Sequence, residues 1–154
     1  MSSEELIITN YLAGTVNNDV KRKIKNQLIS WLNYFNQNTP NKVLDEEDIG
    51  LLENQIAKDK IPCPFLIANE CSIYPVRPIV CRTHIVDSDP EKCNANRRRD
   101  GNPIAKYLRD QKTAELIKSA PLNGIRLLAY AVTDYFGITT SIKPVQIKLL
   151  KSKR

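Results

Sequence analysis

Six of the chain's nine prolines (Pro62, Pro64, Pro75, Pro78, Pro90 and Pro103) fall between residues 61 and 103, and all four cysteines lie in the same stretch. Proline has no backbone N–H to give a helix, and it pushes the residue before it towards extended backbone. No long helix can cross this segment. Any fold the chain adopts must therefore carry an irregular loop near its middle, with regular structure on either side.

The flanks have helical periodicity. Ser2-x-x-Glu5 is a capping-box pattern, followed by Leu6, Ile7, Ile8, Tyr11 and Leu12 and closed at Gly14. Asn17-Asn18-Asp19 can cap a second helix. In it Val20, Ile24, Leu28, Trp31, Leu32 and Phe35 recur three or four residues apart, with Lys21, Arg22, Lys23 and Lys25 on the wet side. Pro40 bars its continuation. Asp45 is placed to cap a third helix bearing Ile49, Leu52 and Ile56. Downstream, Asn102-Pro103 is a start signal for a helix with Ile104, Tyr107, Leu108, Leu116 and Ile117. Pro121 opens a last one, with Ile125, Leu128, Val132, Tyr135 and Phe136 on one face and Gly137 at its end. Val145, Ile147 and Leu149 alternate as a strand would.

Within the central segment, Phe65-Leu66-Ile67 and Ser72-Ile73-Tyr74 are spaced for a small β-hairpin around Ala68-Asn69-Glu70, and Pro78 can open a helical turn through Cys81. The expected fold class is mainly α: a small helical domain with an irregular, proline-rich cysteine loop at its centre. One domain of 154 residues can bury a real core, and 42% apolar with 26% charged residues is ordinary globular composition. Its parts are N-terminal helices (1–60), a cysteine-bearing metal loop (61–100), C-terminal helices (101–137) and a basic tail (138–154).

Charge and hydropathy exclude some function classes. No apolar run approaches the ~20 residues of a membrane span, so no membrane partner is expected. The opening Met1-Ser2-Ser3-Glu4-Glu5 is polar and acidic, the reverse of a signal peptide. A cytoplasmic location is the expectation, and with it a reducing compartment where lasting disulfides are rare. The formal net charge of +6 is concentrated at the end of the chain, where Lys143, Lys148, Lys151, Lys153 and Arg154 meet no acid. A solvated terminus is the simpler account; an acidic protein partner or nucleic acid is the alternative.

Cys63, Cys71, Cys81 and Cys93 are the chemically distinctive residues. Their clustering in a proline-rich, charged segment is the wrong setting for four independent buried hydrophobes, the commonest role of free cysteine. Four thiolates converging on one point suit tetrahedral zinc or the corners of a [4Fe–4S] cluster. The intervals contain no C-x₂₋₄-C pair of the kind zinc ribbons use, which tips the expectation towards [4Fe–4S], with a zinc or iron ion as the alternative. His84, the only histidine, is an alternative fourth ligand to Cys93.

These residues resemble a known signature. Cys63-Pro64-Phe65-Leu66, followed by Cys71-Ser72-Ile73-Tyr74-Pro75-Val76-Arg77-Pro78-Ile79-Val80-Cys81-Arg82, is similar to the C-x-F-L … C-x-I-Y-x-x-R-P-x-x-C-R pattern of the YkgJ-like cysteine-cluster proteins. That family is described as zinc- or iron-chelating, or as containing iron–sulfur clusters, and a flagellin lysine N-methylase carries a related cluster. Cys93 looks like the further downstream cysteine of many relatives. The likeness spans about twenty residues, and the chain departs from it upstream: the family's C-x-x-C-x-x-x-C-C block is missing, since residues 1–62 hold no cysteine. The resemblance implies metal binding. It names neither the metal nor a reaction.

Neighbouring residues have expected roles as well. Arg77 and Arg82 bracket Cys81 and can offset thiolate charge from behind the ligands, or simply pair with Asp87 or Asp89. Tyr74 is expected to pack its ring under the loop. Arg97-Arg98-Arg99 is too short and too poor in aromatics for a strong nucleic-acid footprint. A metal-binding protein is the leading reading. An enzyme by analogy with the lysine N-methylase is disfavoured, because no glycine-rich cofactor loop and few acid–base groups besides His84 are present. A metal-stabilised module that binds nucleic acid or a protein partner is the third.

Overall fold

A computed structural model describes residues 3–39, 42, 44–82, 102–119 and 128–138. The fold is mainly helical with one two-stranded antiparallel sheet, as the sequence pattern implies. The elements are α1 (Ser3–Gly14), α2 (Asn18–Asn38), α3 (Glu46–Lys58), β1 (Leu66–Ile67), β2 (Glu70–Cys71), α4 (Ile79–Arg82), α5 (Pro103–Ser119) and α6 (Leu128–Ala131), with a 3₁₀ turn at Tyr74–Val76. They divide between two compact units, Met1–Val76 with Gly124–Arg154, and Arg77–Asn123.

The helix starts follow their caps. Asn17 accepts the Val20 N–H at 2.9 Å. Asp45 and Asp48 form a reciprocal capping box in which each side chain accepts the other's backbone N–H. Asn102 accepts from Ile104 and Ala105, with Pro103 in the first helical position, where its missing N–H costs nothing. The Ser2 cap lies outside the described residues.

In the first unit the core gathers around α2. Ile24, Leu28, Leu32 and Phe35 are fully buried along one face, joined by Ile8 and Leu12 from α1, Leu52 from α3, Phe65 and Ile73 beside the hairpin, and Ala129, Tyr130, Val132 and Phe136. Trp31 stacks on Phe35 at 4.8 Å between ring centroids, and Tyr130 meets Phe35 edge-on at 5.9 Å. α1 turns Ile8 and Leu12 inward, while Leu6 and Ile7 stay half exposed.

Three local expectations are corrected. The hairpin turn is Ala68-Asn69 alone, both residues at positive φ (51° and 65°), so Glu70 and Cys71 form the second strand and Ser72-Ile73-Tyr74 lie beyond it. Positive φ at both central positions is the tight turn whose twist matches paired strands. Tyr74 is 61% exposed, because Ile73 beside it takes the inward position. The last helix stops at Ala131 instead of running to Phe136. There the Thr133 hydroxyl donates to the Tyr130 carbonyl at 2.8 Å, competing with the helical ladder. Gly137 (φ 58°) does close the segment: its N–H bonds Asp134 O and the Ile138 N–H bonds Thr133 O, a Schellman motif. Ile125 and the Val145–Leu149 alternation lie outside the described residues.

Candidate metal centre

The Cys63 end of the site is built by a turn. Leu66 N–H donates to Cys63 O at 3.0 Å, with Pro64 at the second turn position, where its fixed φ suits the bend. The Phe65 backbone amide, inside the same turn, favours the charged form of the Cys63 thiol. Phe65 is 1% exposed and anchors the turn in the core.

Cys71 reaches the same neighbourhood through the hairpin, where it lies opposite Leu66. Beyond that pair, the Ser72 N–H and Oγ both donate to Phe65 O, at 2.9 and 2.8 Å. Ile73, 1% exposed, secures the outgoing chain as Phe65 secures the incoming one. Gln27 Nε2 on α2 donates to Leu66 O at 3.3 Å, fastening the strand to the helix. The turn was expected from the sequence, one residue longer, but Gln27 did not stand out. Asn69 is a common turn former, whereas nothing marks Gln27.

The electrostatics fit two thiols side by side. Burial pushes the Cys63 thiol up, since protein atoms crowd a sulfur whose residue is otherwise exposed. The Phe65 N–H works against that rise, and the charge of Cys71 adds a smaller upward push. A soft cation binding there would displace the proton, because the thiolate is the ligand form.

Cys81 is an exposed cysteine on α4, whose short helix begins after Pro78 as expected. Arg82 Nε donates to Arg77 O at 2.7 Å, which ties the turn before α4 to its last residue. Cys93, His84, Arg97 to Arg99 and the basic tail lie outside the described residues. Among the described residues no three His, Cys, Asp or Glu side chains form a group able to hold a metal ion. Cys63 and Cys71 lie near enough for the charge of one to act on the other. No helix among the described residues is long and apolar enough to cross a membrane.

Comparison with known proteins finds no family model, curated protein or solved structure that matches the chain.

Proposed function

We propose that this is a metal-binding protein in which Cys63, Cys71, Cys81 and Cys93 hold a [4Fe–4S] cluster that serves a structural, redox or sensing role. A single zinc or iron ion is the alternative occupant, and His84 the alternative to Cys93. The observation that carries this reading is that Cys63 and Cys71 both meet Leu66 in one anchored corner: the Leu66 N–H closes the Cys63 turn, Leu66 is the cross-strand partner of Cys71, and Phe65 and Ile73 are buried on either side. The likeness of residues 63–82 to the YkgJ-like signature supports the same reading. When bound, a cluster would supply one-electron chemistry. The chain's own part is to present the sulfurs and, through Arg77 and Arg82, offset the charge of the thiolates.

Purification without oxygen tests it. The expected protein is brown, contains iron and acid-labile sulfide in equal amounts, and loses visible absorption on reduction. A colourless protein with one equivalent of zinc would remove the cluster and keep the metal centre. Protein with no thiophilic metal under any loading condition would remove both. Cys63→Ser, Cys71→Ser and Cys81→Ser are each expected to abolish metal retention, and comparing Cys93→Ser with His84→Ala identifies the fourth ligand.

A further inference from the structure

We infer that Cys63 and Cys71 are also a redox-active dithiol, which closes to an intrachain disulfide when metal-free and offered a small-molecule disulfide as oxidant. The backbone carries this inference. The Cys63 turn is closed by a hydrogen bond from Leu66, and Leu66 is the cross-strand partner of Cys71. The next bond out joins Ser72 to Phe65, so Leu66 and Cys71 are a non-hydrogen-bonded pair, the kind whose Cα atoms lie closest, about 4.5 Å apart. A hydrogen-bonded turn keeps its first and fourth Cα atoms within about 7 Å. Cys63 and Cys71 therefore both adjoin Leu66, one through its turn and the other across the strand pair, and the disulfide forms when the turn brings their Cα atoms within about 7 Å. Cys71 is also near enough for its charge to act on Cys63. The Cys63 residue is the more exposed of the two, although its sulfur is crowded by protein atoms, and Cys71 is half-buried.

The chemistry is thiol–disulfide exchange. The Cys63 thiolate attacks one sulfur of the oxidant, a mixed disulfide forms and one small thiolate leaves. The Cys71 thiolate then attacks Cys63 Sγ and expels the second. The protein loses two protons and two electrons, and the oxidant is reduced to two thiols. None of this rests on the cluster proposal, because it is read in chain stripped of metal.

The test uses the full chain, treated with a chelator and equilibrated in mixtures of reduced and oxidised glutathione. Remaining thiols are alkylated, and the chain is cut after Glu70, which separates Cys63 from Cys71. The expected product keeps the two fragments joined by one disulfide, with Cys81 and Cys93 alkylated. Cys71→Ser is expected to stall with glutathione on Cys63, and unfolding in urea before oxidation is expected to scramble the pairing. Linkage of Cys63 to Cys81 or Cys93, glutathione retained on the unmutated chain, or identical pairing in urea would overturn the inference.

Discussion

Tyr130 buries its ring against Phe35 while its hydroxyl, also buried, has no hydrogen-bond partner among the described residues. Burial pushes its pKa from 10.0 up to about 12. The unfolded chain ionises this phenol near its ordinary value and the folded chain does so later. Its contribution to stability is thus complete below pH 10 and is lost as pH rises towards about 12. Tyr130→Phe removes a polar atom that gains nothing from folding. It is expected to raise stability by about 1 kcal/mol and to flatten the alkaline loss, both read from urea unfolding curves across that pH range. An alkaline limb unchanged by the substitution would assign the loss to another group. Asp59 has the opposite sign. Tyr34 Oη donates to it at 2.7 Å and Gln55 Nε2 at 2.8 Å, so its carboxyl is held low, and what it contributes fades as pH falls through the acid range.

Helix starts and helix stops differ in how they are encoded. Asn17, Asp45 and Asn102 announce their helices because a short polar side chain can satisfy open N–H groups within its own turn. The end of α3 carries no such sign. Lys60 sits there at φ 53° in a Schellman motif, its N–H bonding Ala57 O while the Ile61 N–H bonds Ile56 O. A lysine in the left-handed region is strained by its Cβ, as is Ala68 in the hairpin turn. Lys60→Gly and Ala68→Gly are each expected to stabilise the chain by about 0.5–1 kcal/mol in chemical denaturation. No gain at Ala68 would mean that another turn closes the hairpin. The hairpin was only half legible beforehand: its first strand was expected within Phe65-Leu66-Ile67, but the second was expected at Ser72-Ile73-Tyr74 and lies at Glu70–Cys71. Nothing in an Ala-Asn pair requires positive φ until the strands on either side are held at a fixed separation.

In the Met1–Val76 and Gly124–Arg154 unit, the hairpin and the helical core are one packing problem. Phe65 and Ile73 enter the same cluster as Leu28, Leu32 and Phe35, so the cysteine loop is fastened by burial as well as by its turn. Phe65→Ala is expected to cost about 3–5 kcal/mol, read from denaturation midpoints. It should also hasten exchange of the Leu66 amide, which bonds Cys63 O. Leu66→Ala, at a residue 36% exposed, is expected to cost far less. Equal losses from the two would show that the hairpin is not anchored through Phe65.

The sequence by itself determined the helical class, the face of α2 that is buried, the helix-capping residues and the exclusion of long helix around the cysteines. Each of these follows from interactions spanning a few residues, where side-chain spacing, caps and prolines act directly on the nearby backbone. Only the tertiary structure decided which side chains hold the loop down, that Ile73 and not Tyr74 turns inward, and that Cys63 and Cys71 both adjoin Leu66. Those outcomes depend on which chain reversals the core around Phe35 will accept, and that is settled among residues far apart in the sequence.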